Sequence, residues 1–317
     1  MDGKITPHPY EGRATPSRHP PPARCHHRNV GDVRGTPVIE GGAELPALAP
    51  VDVAPGYRSP YTVRWTRPAD ERLSGFDQPP WNDPREQAVI PFAQWSSPAT
   101  QARWGTWGPR ARRYPAPAVR LRGRAARERL LTVAAALLGT DYQHHHVPAW
   151  SPPDGWPQKP VHSGLRGPGL DCSNYVGFVY SYALGYDLPT GVVAQSELHR
   201  STSEGALLSH RVGVVPCPTD PAGAGWDPAA HQAFVAALEP GDVLYLRNTS
   251  GIVSHAVLWL GDCGVGPTDL PLVIDCGGGN IVDARRTPIP AGVRIRPYRP
   301  VGWYARNTAW AHRIVPD

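Results

Sequence analysis

The stretch GLDCSNYVGFVY, Gly169–Tyr180, sets Cys172 between an aspartate and a run patterned like a buried helix. Val176, Val179, Tyr180 and Ala183 recur at spacings of three and four, which predicts a helix from Cys172 with one buried face and a stop at Gly185. Asp171 then stands where an N-cap side chain accepts a first-turn N–H. A helix start offers unpaired N–H groups and positive dipole charge. These surroundings favour a thiolate and can line an oxyanion hole. Gly167 and Gly169 let the chain turn sharply just before it. Because buried structural cysteines are common, Cys172 needs a nearby base before it reads as a nucleophile.

Outward from this helix the pattern divides the chain in two. Upstream, AARERLLTVAAALL at 125–138 is rich in helix formers and ends at Gly139. Residues 186–230 read as a long loop region with a short helix near PAAHQAFVAAL. Downstream, VLYLR at 243, SHAVLWLG at 254, LPLVIDC at 270 and GWYARNTAWAHRIV at 302 read as four strands separated by Gly, Asn and Asp turns. Helices first and strands afterwards make an α+β domain with an antiparallel sheet, assigned to residues 119–317. Residues 1–60 are Pro- and Gly-rich without apolar periodicity and read as disordered. Residues 61–118 form a Trp- and Pro-rich arm, read as an irregular segment packed on the domain in preference to a small aromatic-lined binding module. No internal repeat is visible.

The 317 residues suffice for a sizeable core, although Pro 39 and Gly 33 are high counts. A formal charge of +5 suits nucleic acid, an anionic membrane surface or an acidic wall polymer. The arginines between Arg103 and Arg129 read as a solvated basic helix start. With no zinc-finger spacing or aromatic-basic RNA motif, no nucleic-acid partner is expected. The longest apolar run, residues 130–139, is too short to span a bilayer, so no transmembrane segment is expected, and the first twenty residues carry no signal-like apolar stretch. Cys263 and Cys276 flank a loop and could pair in an oxidising compartment, but free thiols are the default. Oligomeric state is not legible.

His255 lies inside a predicted strand, with Val257 and Trp259 on its own face and Ala256, Leu258 and Leu260 on the other. A histidine in an apolar strand is, taken alone, more often a satisfied core residue than a catalyst. Its context differs. LDCSNYVGFVY, followed by EPGDVLYLR and then SHAVLWLGD, resembles the NlpC-type cell-wall cysteine peptidases of the papain-like fold group. That family shows an Asp-Cys-Ser helix start, a Pro-Gly-Asp turn into the first sheet strand and a His-bearing strand ending in Gly. LLGTDYQ is similar to its Gly-x-Pro-Tyr segment, so the resemblance covers roughly residues 120–315.

The resemblance implies a papain-like, NlpC-type domain with N-terminal helices packed on an antiparallel sheet. It implies Cys172 as nucleophile, His255 as general base and Asp275, from LVIDCGG, as the residue that orients the imidazole. Tyr142 matches a tyrosine that lines the substrate site, with Asp171, Ser173, His144 and His146 as its neighbours there. Asp242 is assigned to the turn. The implied reaction is hydrolysis of an amide in a peptidoglycan stem peptide through a thioester, without cofactor, by a secreted or wall-associated protein. The chain departs from the family at Asn174 and Tyr175, where Gly-Phe is usual, in QHHHVPAW, and at Val257, where glycine is usual. In an extended segment His144 and His146 point the same way and with a third ligand could hold zinc. No cysteine or carboxylate completes the spacing, so they read as pocket wall and no metal is expected. Two alternatives keep their place: an acyltransferase or toxin-like effector with the same thiol chemistry, and a non-catalytic wall-binding module with an unreactive Cys172.

Overall fold

The computed structural model describes residues 53–54, 56–76, 98, 114–139, 141–142, 169–189, 191–200, 211–218, 227–278 and 281–317. All belong to the unit Leu45–Asp317. Residues 1–52, the arm beyond residue 76 up to residue 113 apart from Pro98, and His144 and His146 lie outside the described residues.

The helices are α1 (Ala69–Arg72), α2 (Gly123–Ala136), α3 (Cys172–Leu184), α4 (Val192–Ser196), α5 (Pro228–Ala237) and α6 (Trp303–Asn307). The strands are β1 (Val53–Ala54), β2 (Tyr57–Arg58), β3 (Thr62–Val63), β4 (Asp141–Tyr142), β5 (Gly169–Leu170), β6 (Gly213–Pro216), β7 (Val243–Arg247), β8 (Val253–Trp259), β9 (Gly264–Val265), β10 (Leu272–Gly277), β11 (Gly292–Pro297) and β12 (Thr308–Arg313). Six of them form one antiparallel sheet in the order β11-β10-β8-β7-β12-β6. The fold is therefore a mixture of helices and an antiparallel sheet, the class expected.

The sheet is apolar on both faces, which explains why its strands read as nearly continuous hydrophobic runs. Val243, Tyr245, Ala256, Leu258, Leu272, Ile274, Val293 and Ile295 join one cluster with Leu130, Leu131 and Val133 of α2 and Tyr175, Val176 and Val179 of α3. Leu244, Leu246, Val257, Trp259 and Val273 join a second with Phe234 of α5 and Tyr304 of α6. Alternation along β7, along Ala256–Trp259 of β8 and along β10 divides the two cores, and Val253, where the β7–β8 register shifts, joins the first. Polar ties fix the helices in place: the Tyr175 hydroxyl donates to the Ala134 carbonyl at 3.1 Å and the Tyr180 hydroxyl to the Gly241 carbonyl at 2.6 Å. Asp242, in the turn entering β7, accepts from the Glu239 N–H at 2.9 Å and pairs with Arg313 at 2.8 Å, as a turn residue should.

Four expectations need correction. The closing segment is not one strand: Trp303–Asn307 is helical and only Thr308–Arg313 is strand. Asn307 and Thr308 bond back to the Trp303 and Tyr304 carbonyls at 2.7 and 2.8 Å, closing a turn that the aromatic alternation conceals. Strands β6 and β11 were not anticipated; β11 reads GVRIRP, and its arginines suggest exposure although Arg294 and Arg296 are buried. Helix α3 is buried on nearly every side, as a helix apolar all round must be, and has no single core face. The basic start of α2 is solvated only in part: Arg122 is exposed and Arg124 partly so. Arg127 and Arg129 are buried, with Arg129 Nε donating to the Arg72 carbonyl at 2.9 Å and Nη1 to that of Val119 at 2.7 Å. Between them Glu128 accepts from the Thr66 and Arg67 N–H groups, each at 3.1 Å.

Candidate active site

Helix α3 begins at Cys172 because Asp171 caps it. The cap backbone is extended, and Oδ1 accepts from the Asn174 N–H at 2.7 Å and from the Ser173 hydroxyl at 3.0 Å. The Asn174 amide donates to Oδ2 at 3.3 Å. Asp171 and Ser173 are thus both engaged in the first turn, and Cys172 is left at the positive end of the helix dipole.

His255 and Asp275 come from neighbouring strands of the sheet and share a face. The register pairs Val273 with Trp259 and Ile274 with Leu258, so Asp275 falls beside the His255 end of β8. His255 Nε2 lies 2.6 Å from Asp275 Oδ2. The Cys172 sulfur is near enough to the ring to act on it as a hydrogen-bond partner and as a charge. Burial disfavours an imidazolium here, yet the Cys172 sulfur and the Asp275 carboxylate outweigh it and push His255 up to about 10. Burial likewise opposes ionisation of Asp275, but Arg296 and then His255 hold its carboxyl below the usual carboxylate value.

Gly277 makes room for this pair. A Cβ there would stand 3.0 Å from Asp275 Oδ2 and 3.5 Å from His255 Cε1. Beside them opens a cleft of about 460 Å³, walled by Ser254, Gly278, Ile281, Trp303 and Tyr304. The Trp303 ring, 5.8 Å from that of His255, is about half exposed. Tyr142, in β4, is half-buried. Its phenol is raised first by burial and then by the charges at Cys172 and Asp171, so it remains protonated near the thiol. His144 and His146 lie outside the described residues.

The four described cysteines are free thiols. Cys263 is pushed up to about 12 by burial, and Cys276, whose Sγ donates to the Leu170 carbonyl at 2.8 Å, is also raised by burial. Among the described residues no group of three or more His, Cys, Asp or Glu could hold a metal ion, and no helix is long and apolar enough to cross a membrane.

Sequence reasoning missed Arg296 and Tyr304. Arg296 Nε donates to Asp275 Oδ1 at 2.7 Å, and the Tyr304 hydroxyl donates to Oδ2 at 2.9 Å. Only the Val/Arg alternation of GVRIRP could have flagged Arg296; nothing in the letters points to Tyr304.

The arrangement is a thiol at a helix start, an imidazole and a carboxylate in series, a set able to stabilise a thiolate–imidazolium pair. Two solved structures that match this chain are NlpC/P60 proteins. An NlpC/P60 family protein from Bacillus cereus ATCC 10987 matches over 47% of this chain at 19% identity with a TM-score of 0.26, and this chain spans about a third, 32%, of its length. The NlpC/p60 domain of the peptidoglycan hydrolase SagA matches over 58% of this chain and 95% of its own, at 19% identity with a TM-score of 0.28. No family model and no curated protein matches the chain.

Proposed function

We propose that the chain is a papain-like, NlpC-type cysteine peptidase or amidase that hydrolyses an amide bond of peptidoglycan stem peptides. The observation that carries this reading is the His255–Asp275 bond of 2.6 Å beside the helix-start Cys172, whose sulfur acts on the imidazole as a hydrogen-bond partner and as a charge. In this reading Cys172 Sγ attacks the scissile carbonyl carbon, and the oxyanion is met by first-turn N–H groups of α3. His255 then gives its proton to the leaving amine, and the C–N bond breaks to leave a thioester. Water, deprotonated by His255, releases the acid and restores the thiol. Asp275 stays ionised throughout and holds the imidazolium. The cleft beside Trp303 receives the substrate, with Tyr142 near the nucleophile; Asp171 and Ser173 support it through the cap of α3. The net charge of +5 favours an anionic wall polymer as the partner.

The test is mass spectrometry of purified peptidoglycan fragments incubated with the wild type and with Cys172→Ala. New fragments from the wild type alone are expected, their masses identifying the bond. Identical fragments from both proteins would overturn the assignment of Cys172.

A further inference from the structure

We propose that Arg296 is a positioning residue of this site, supplying the counter-charge that lets Cys172, His255 and Asp275 carry a thiolate, an imidazolium and a carboxylate together inside the fold. The inference rests on the reading above and adds to it a member with no counterpart in the motifs that suggested it. Arg296 is fully buried. Its Nε donates to Asp275 Oδ1 at 2.7 Å, while Nη2 donates to the carbonyls of Pro290, Gly277 and Gly292 at 3.2, 3.3 and 3.3 Å. Nη1 has no hydrogen-bond partner among the described residues. A buried guanidinium with idle donors is a costly way to fill space, since an apolar side chain would do so without desolvating a charge. Charge counting gives it a purpose. Thiolate, imidazolium and carboxylate sum to one negative charge, and Arg296 brings the buried array to neutrality.

Without that cation, a water-poor site neutralises itself by taking up one proton. On Asp275 the proton removes the partner of the imidazolium. On Cys172 it abolishes the nucleophile directly. Either way less thiolate survives at neutral pH. Among the described residues, the other ionisable groups facing the array do not replace Arg296. Tyr142 from β4, Tyr175 in α3, Cys276 in β10 and Tyr304 from α6 are all raised by burial and stay protonated. Asp171 is an acid, not a cation, and is tied to α3. Arg294, the register partner of Asp275, directs Nη1 to the Val293 carbonyl at 2.9 Å.

The experiment is the rate of Cys172 alkylation by iodoacetamide between pH 5 and 10 in the full chain, read by peptide mass spectrometry, for the wild type, Arg296→Met, Arg296→Lys and His255→Ala. In Arg296→Met the rate at pH 6 is expected to fall by about ten-fold or more and to approach wild type near pH 10, where thiols ionise unaided. Arg296→Lys restores the cation and is expected to recover most of the rate at pH 6. A uniform loss at every pH in Arg296→Met, or an unchanged profile, would mean a structural role and overturn the proposal. Should Arg296→Met fail to fold, the lysine variant decides: a loss at pH 6 as deep as that of His255→Ala would also overturn it. If His255→Ala matches wild type at every pH, the Cys172–His255 reading itself is wrong, a failure distinct from that of Arg296.

Discussion

At the scale of single residues, the site depends on how tightly Asp275 is held. Its two oxygens receive Arg296, His255 and Tyr304 at 2.7, 2.6 and 2.9 Å, so three of roughly four acceptor positions on a carboxylate are occupied. Such a group cannot step aside for a new neighbour. Gly277→Ala would put a methyl 3.0 Å from Oδ2, and the strain must then fall on the His255–Asp275 bond or on β10. The expected outcome is a fall in turnover of about ten-fold or more, with a thermal midpoint only a few degrees below wild type, because misplacing a reacting group costs rate before it costs fold. Steady-state kinetics beside a thermal melt check it. Wild-type turnover in Gly277→Ala would show that the pair tolerates displacement.

Among the elements, α3 has the most demanding placement: it is buried on nearly all sides and must begin at Cys172. Its two ends are fixed by different chemistry. Asp171 caps the start, and Gly185 ends it in a left-handed turn at φ 71°, where a Cβ would run into the backbone of Ala116. Asp171→Ala removes the acceptor of the Asn174 N–H and of the Ser173 hydroxyl. The expected cost is about 1–2 kcal/mol, a drop of roughly 2–8 °C in thermal midpoint for a domain of this size. An unchanged midpoint would mean that tertiary packing alone holds the first turn. Both ends of α3 were legible in the sequence because Asp, Cys and Gly act on residues within four positions of themselves. The facing of β8 was legible for the same reason, period two being a local property. Arg296 and Tyr304 were not. Their meeting with Asp275 depends on the pairing of β10 with β11 and on the α6 turn, across 21 and 29 residues of chain. The burial of Arg127 was equally hidden, since its partners Pro240 and Val315 lie 113 and 188 residues away.

Over the whole molecule, the buried His312 and the partly buried His255 are pushed towards opposite protonation states, and stability should depend on pH from both sides. His312, in β12, has Nε2 2.9 Å from His199 Nδ1 and a buried Nδ1 without a partner among the described residues. Burial, with the His199 charge adding to it, pushes His312 down to about 3. Between that value and the ordinary histidine value of about 6.5, the unfolded chain binds a proton that the folded chain refuses, so stability falls as pH drops through this window. His255 behaves in the reverse sense. Raised to about 10, it keeps its proton when folded and would release it when unfolded, so its contribution is complete below about pH 6.5 and is lost as pH rises towards 10. The denaturant midpoint should therefore peak near neutrality and decline in both directions. Each limb has its own variant. His312→Gln should flatten the fall on the acid side, leaving what the carboxylates contribute. Cys172→Ser removes the sulfur charge that does most to raise His255 and should flatten the alkaline side. Urea midpoints from pH 4 to 10 measure both limbs. An acid limb unchanged in His312→Gln would assign it to carboxylates such as Asp275, which is depressed when folded and also loses its contribution as pH falls. An alkaline limb unchanged in Cys172→Ser would mean that Asp275 alone suffices to hold the imidazolium.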